Sequence, residues 1–61
     1  MNKTDLIKEL FLLSVQMQKV SRHLGEVDSP GYQLHSSELF DASEQVNNWY
    51  ESLLQEEENE N

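Results

Sequence analysis

Two runs of residues, apolar at every position but one histidine and stepping alternately by three and four, constrain this chain more than any other feature. In the first half they are Leu6, Leu10, Leu13, Met17, Val20, Leu24 and Val27; in the second, Tyr32, His35, Leu39, Ala42, Val46, Trp49 and Leu53. Such spacing is that of a coiled-coil seam, and a strand, whose side chains alternate with a period of two, does not present it. Between the runs lies Asp28-Ser29-Pro30-Gly31, where Pro restrains one dihedral and Gly is free to take a positive one. If the chain doubles back there, Leu6 faces Leu53, Leu10 faces Trp49, Leu13 faces Val46, Met17 faces Ala42, Val20 faces Leu39, Leu24 faces His35 and Val27 faces Tyr32. One antiparallel register therefore serves both runs, and the expected fold is all-α: a helical hairpin with a coiled-coil-like seam.

The boundaries follow from capping chemistry. Thr4 reads as an N-cap with Asp5 in the first turn, and Gly25 as a stop after His23 and Leu24. Helix 1 is expected over about 5–24 and the turn over 25–31. Helix 2 begins somewhere in 30–37, because His35-Ser36-Ser37 is poor helix interior but good capping material, and it runs to about 55. Residues 1–55 form the hairpin domain. Residues 56–61, Glu56-Glu57-Glu58-Asn59-Glu60-Asn61, read as a disordered, solvated acidic tail.

A hairpin of this size is short of core. The chain has 61 residues and no Cys, so neither a disulfide framework nor a thiolate metal site supports it. Below roughly 70–80 residues a core rarely supplies more than about 3–5 kcal/mol, which leaves association as the remaining device. Helix 1 carries a second stripe nearly opposite the first, made of Lys8, Leu12, Val15, Lys19 and Arg22 and flanked by Phe11. In the register above, Tyr50 and Leu54 lie near Ile7 and Phe11, so the surplus apolar surface gathers at the open end. The candidate partner-binding residues are Ile7, Lys8, Phe11, Leu12, Val15, Lys19, Arg22 and Tyr50. The simplest assembly pairs this stripe with a second copy in a dimeric four-helix bundle; the competing one places a larger protein on the same surface.

Charge sorts the remaining possibilities. All four bases, Lys3, Lys8, Lys19 and Arg22, lie in the first 25 residues, while residues 26–61 hold ten of the 12 acids and no base. Nucleic acid is therefore disfavoured as a partner. With no long apolar run and no signal-peptide pattern at the N-terminus, no membrane partner is expected and the cytoplasm is the expected location. His35 sits in the seam and reads as a satisfied or partly exposed core histidine, and His23 at the end of helix 1 reads as a dipole partner. Asp41, Glu44 and Glu51 share an acidic outer face of helix 2. No Gly-rich phosphate loop, nucleophile constellation or metal-ligand spacing is present, so neither cofactor nor catalytic residue is expected.

The stretch from Ser29-Pro30 to Ser36-Ser37-Glu38-Leu39, about a dozen residues, resembles the small helical-hairpin aspartyl-phosphate phosphatases of spore-forming bacteria. Their second helix carries Ser-Gln-Glu-Leu-Asp after an Asp-Pro turn. The resemblance implies removal of phosphate from a response regulator. Where that family has its functional Asp, however, this chain has Phe40, with Asp41 one residue later and about 100° further round the helix. In plan, without a shared motif, the hairpin is also similar to plasmid copy-number regulators, which dimerise and bind paired RNA loops; that likeness implies an RNA face of Lys3, Lys8, Lys19 and Arg22. A third alternative is an acidic nucleic-acid mimic using Asp41, Glu44 and Glu51. The leading expectation is a small non-enzymatic regulator or adaptor, of the kind bacteria and phages use to block or bridge a larger protein.

Overall fold

The computed structural model describes residues 1–59, which form two helices packed against each other: α1, Lys3–Glu26, and α2, Pro30–Asn59. Together they make a rod measuring 49 × 17 × 12 Å.

The N-cap of α1 is Asn2 rather than Thr4. The Asn2 Oδ1 accepts the Asp5 amide at 2.9 Å, with Asn2 itself extended at φ −95°, ψ 169°. Asn caps at least as well as Thr, and the Thr4 hydroxyl is used elsewhere, donating to the Glu57 carboxylate at the far end of α2. Replacing Asn2 with Ala is expected to cost about 1 kcal/mol, read as a lower thermal midpoint by circular dichroism.

Gly25 does not stop α1. The helix runs one residue further, to Glu26, and Val27 ends it in an extended conformation with its amide on the Leu24 carbonyl at 3.3 Å. No glycine among the described residues has a positive φ, so neither Gly25 nor Gly31 is present for that freedom. Gly25 serves close approach instead: a Cβ there would meet the Ser36 Oγ at 3.0 Å. The connection is residues 27–29. The Ser29 amide donates to the Val27 carbonyl at 2.8 Å, and the Ser29 carbonyl accepts the Gln33 amide at 3.0 Å. α2 then starts at Pro30, the earliest of its expected starts, where the missing N–H costs nothing and the restrained φ suits the first helical turn.

At the other end, residues 56–59 are helical rather than a disordered tail. Glu favours helix, and the Thr4–Glu57 hydrogen bond ties this last turn to the first turn of α1. Glu60 and Asn61 lie outside the described residues.

The two helices meet on a different face from the one their apolar runs suggest. Among the described residues, the buried side chains are Ile7, Ser14 and Ser21 on α1 and Ser43 and Val46 on α2; Ser43 is 0% exposed. Leu10, Met17 and Leu24, with Leu39 and Leu53, are half-buried beside them. Relative to the expected seam, Leu6, Leu13 and Val20 are displaced by the residue that follows each, and so are His35, Ala42 and Trp49. One residue is about 100° of helix rotation; half of each seam moves and half stays, so each contact line turns by about half that angle. The register itself stands, because observed contacts fall on both sides of it. Phe11 meets Tyr50, Thr4 meets Glu57 and Gly25 approaches Ser36, each two residues one way; Ser21 meets Ser36, two residues the other.

Serine in such an interface brings two backbones together without the bulk of leucine, provided each hydroxyl finds an acceptor. All four do. The Ser14 and Ser43 hydroxyls donate back along their own helices to the Phe11 and Phe40 carbonyls, at 2.8 and 2.6 Å. Ser21 and Ser36 bridge the helices reciprocally: the Ser21 Oγ donates to the Ser36 carbonyl and the Ser36 Oγ to the Ser21 carbonyl, each at 2.6 Å.

Candidate partner-binding surface

Closing the hairpin on serines leaves its large apolar side chains outside. Only Ile7 and Val46 among the described apolar residues are buried, whereas Leu6, Phe11, Leu12, Leu13, Val15, Val20, Val27, Tyr32, Leu34, Phe40 and Trp49 are exposed. Seven of them lie on two surfaces, Phe11, Leu12 and Val15 on one and Leu6, Leu13, Val20 and Trp49 on the other.

The first is the outer stripe of α1. Lys8, Leu12, Val15, Lys19 and Arg22 are all exposed along it, with Leu12 reaching 64%. Phe11 borders the stripe and leans on Tyr50 of α2, ring centroids 5.2 Å apart and planes tilted by 44°. Tyr50 is half-buried and supports this edge from behind. Ile7 does not belong here. It is 6% exposed, because it heads the line of Ser14 and Ser21 that faces α2.

The second surface lies outside the contact residues expected from the residue pattern. Each buried residue of α1 is preceded by an exposed apolar one: Leu6 before Ile7, Leu13 before Ser14, Val20 before Ser21. On α2, Ala42 precedes Ser43 and Trp49 precedes Tyr50, and both are exposed. In an antiparallel pair, the residue before a contact position points to the same side on both helices, since reversing the chain also reverses the sense of rotation. These side chains therefore share one face. At its open end Leu6 and Leu53 line an apolar groove of about 130 Å³ with Lys3, Ile7, Glu56 and Glu57. The seven-residue serine spacing, Ser14 to Ser21 and Ser36 to Ser43, is the trace of this arrangement in the sequence, although spacing alone does not say that the serine line rather than the leucine line faces the other helix.

The polar groups are distributed around these surfaces. His35, expected in the core, is exposed, and its Nδ1 lies 2.8 Å from the Glu38 Oε1 one turn on; Ser36 takes the interior place beside it. Asp41, Glu44 and Glu51 are exposed on the outside of α2, where Glu51 accepts the Asn47 side-chain amide at 3.3 Å. In the phosphatase-like stretch, the Ser36 hydroxyl is engaged by Ser21, and Phe40 and Asp41 both face solvent. Among the described residues, no group of three or more His, Asp or Glu is placed to hold a metal ion, and no helix is long and apolar enough to cross a membrane. No family model, curated protein or solved structure matches the chain.

Proposed function

We propose that this protein is a small non-enzymatic regulator or adaptor that works as a dimer of helical hairpins, a four-helix bundle, and binds a larger protein through the outer stripe of α1. The observation that carries the reading is the imbalance between two buried apolar side chains and eleven large exposed ones along the two helices and the loop between them. Isolated monomers rarely leave so large a share of their apolar side chains in water, and such surfaces usually meet a protein. Leu12 and Val15 supply apolar contact, and Lys8, Lys19 and Arg22 steer a partner of opposite charge. Being acidic, that partner would be repelled by Asp41, Glu44 and Glu51, which favours α1 as the docking side.

The test has two parts. Light scattering on a sizing column should give a dimeric mass at micromolar concentration; a folded monomer would remove the assembly claim. Capture from the native cell should then recover a protein that is lost when Lys8, Lys19 and Arg22 are changed together to Glu and kept when Asp41, Glu44 and Glu51 are changed to Gln. Phosphate release from a phosphorylated response regulator that fails in Asp41→Asn would replace this reading with the phosphatase one. Steeply salt-dependent RNA binding that fails in Arg22→Gln would replace it with the nucleic-acid one.

A further inference from the structure

The dimer proposed above needs an interface, and the outer stripe of α1 is needed for the partner. We infer that two copies of this chain meet through the other surface, the face carrying Leu6, Leu13, Val20, Ala42 and Trp49, and that the half of each apolar run left out of the hairpin's own contact forms the seam between hairpins. The inference rests on the dimeric reading and places its contact.

Three observations select a second copy as the occupant. The first is spacing. With half-buried Leu10, Met17 and Leu24 between them, Leu6, Leu13 and Val20 keep the three-four rhythm that lets one helix seat against another along its length. The hairpin's internal contact uses only the half of that rhythm shared with the serine line. A twofold partner presents the same rhythm in return, so one surface supplies both knobs and holes.

The second observation is neutrality. From Leu10 to Leu24 on α1 and from Leu39 to Leu53 on α2, the positions on this face carry no charged side chain, in a chain with 12 acids and four bases. Lys3, Glu9, His35, Glu38 and Glu56 mark its two ends. A charged partner finds nothing to pair with in the middle, whereas a second copy of a neutral face brings no unpaired charge into the contact.

The third is size. The broad side of the rod, 49 by 17 Å, projects to roughly 800 Å² with its charged ends included, so a contact along its full length reaches about the share each partner contributes to a standard-size stable interface. Joining two hairpins here would cover Trp49, 51% exposed in the single hairpin, and leave Lys8, Leu12, Val15, Lys19 and Arg22 on the outside of the assembly.

Trp49 is the chain's single tryptophan and sits on this face, so it reports directly. Acrylamide quenching and light-scattering mass should be followed together through a dilution series of the full chain. The expected result is a dimer whose Trp49 is shielded and becomes quenchable in step with dissociation. A dimer whose Trp49 stays fully quenchable overturns the placement while leaving the dimeric reading intact. A folded monomer throughout overturns both. Leu13→Glu should weaken the dimer about a hundredfold or more, because it buries an unpaired carboxylate, whereas Leu12→Glu on the outer stripe should leave the mass unchanged. The reverse pattern would assign the contact to the outer stripe. If Leu13→Glu loses its helicity, the wild-type quenching series decides the matter alone.

Discussion

Ser43→Leu is expected to abolish most of the hairpin's stability, while Ser43→Ala is expected to change it little. Ser43 is the one side chain among the described residues with no exposed surface, and it lies on the line along which α2 meets Ile7, Ser14 and Ser21. The branched side chain of leucine has no room there unless the helices move apart, and overpacking of this kind costs about 1–3 kcal/mol. Separation would also lengthen the paired Ser21–Ser36 hydrogen bonds, adding to the loss. Against a margin of about 3–5 kcal/mol for so small a core, that is the larger part of the stability. Alanine removes only a hydroxyl that donates to Phe40 on the same helix, and gains helix propensity in return. Urea or thermal unfolding followed by far-UV circular dichroism separates the two substitutions. Were leucine tolerated at 43 and glutamate not tolerated at 49 in a monomer, the helices would be meeting on their leucine runs after all.

The second large effect is expected at the Ser21–Ser36 bridge. Each hydroxyl donates to the other residue's backbone carbonyl, and the two oxygens are also 3.3 Å apart. Changing either serine to Ala removes one cross-helix bond and should cost about 0.5–1.5 kcal/mol. A loss near the middle of that range lowers the thermal midpoint by about 4–8 °C in a domain this small. The double substitution should cost less than the sum of the singles, since the hydroxyls share one site and their effects are not independent. Strict additivity would show that the two bonds act separately, and a stabilised double variant would show that helix propensity outweighs them.

These effects bear on how much of the protein can be read from its residues. The all-helical character, the reversal near Pro30 and the antiparallel register follow from the spacing of Leu10, Met17 and Leu24 against Leu39, Val46 and Leu53, which lie at or beside the contact whichever face closes. The ends moved for local reasons. Asn2 caps α1 while the Thr4 hydroxyl bonds Glu57, and α2 continues through residues 56–59, where Glu is a good helix former. Of the contact residues expected from sequence, Lys8, Leu12, Val15, Lys19 and Arg22 lie along one exposed stripe with Phe11 at its edge and Tyr50 behind it, while Ile7 is turned into the hairpin.

The rotation of the seam was beyond such reasoning. Ranking residues by hydrophobicity puts leucine inside and serine outside, and that ranking holds for a helix whose only choice is between core and water. It fails where two neighbouring lines on one helix compete for the same contact. Serine wins when its hydroxyl can satisfy a backbone carbonyl and its small size lets the helices approach, and that outcome depends on the positions of atoms on the opposite helix. By itself the sequence determined that there are two helices, where they reverse and how they are aligned, because these depend on spacing along one chain. Only the tertiary structure decided which line of each helix faces the other, because that depends on distances across the gap, and with it which apolar surface remains for something else to cover.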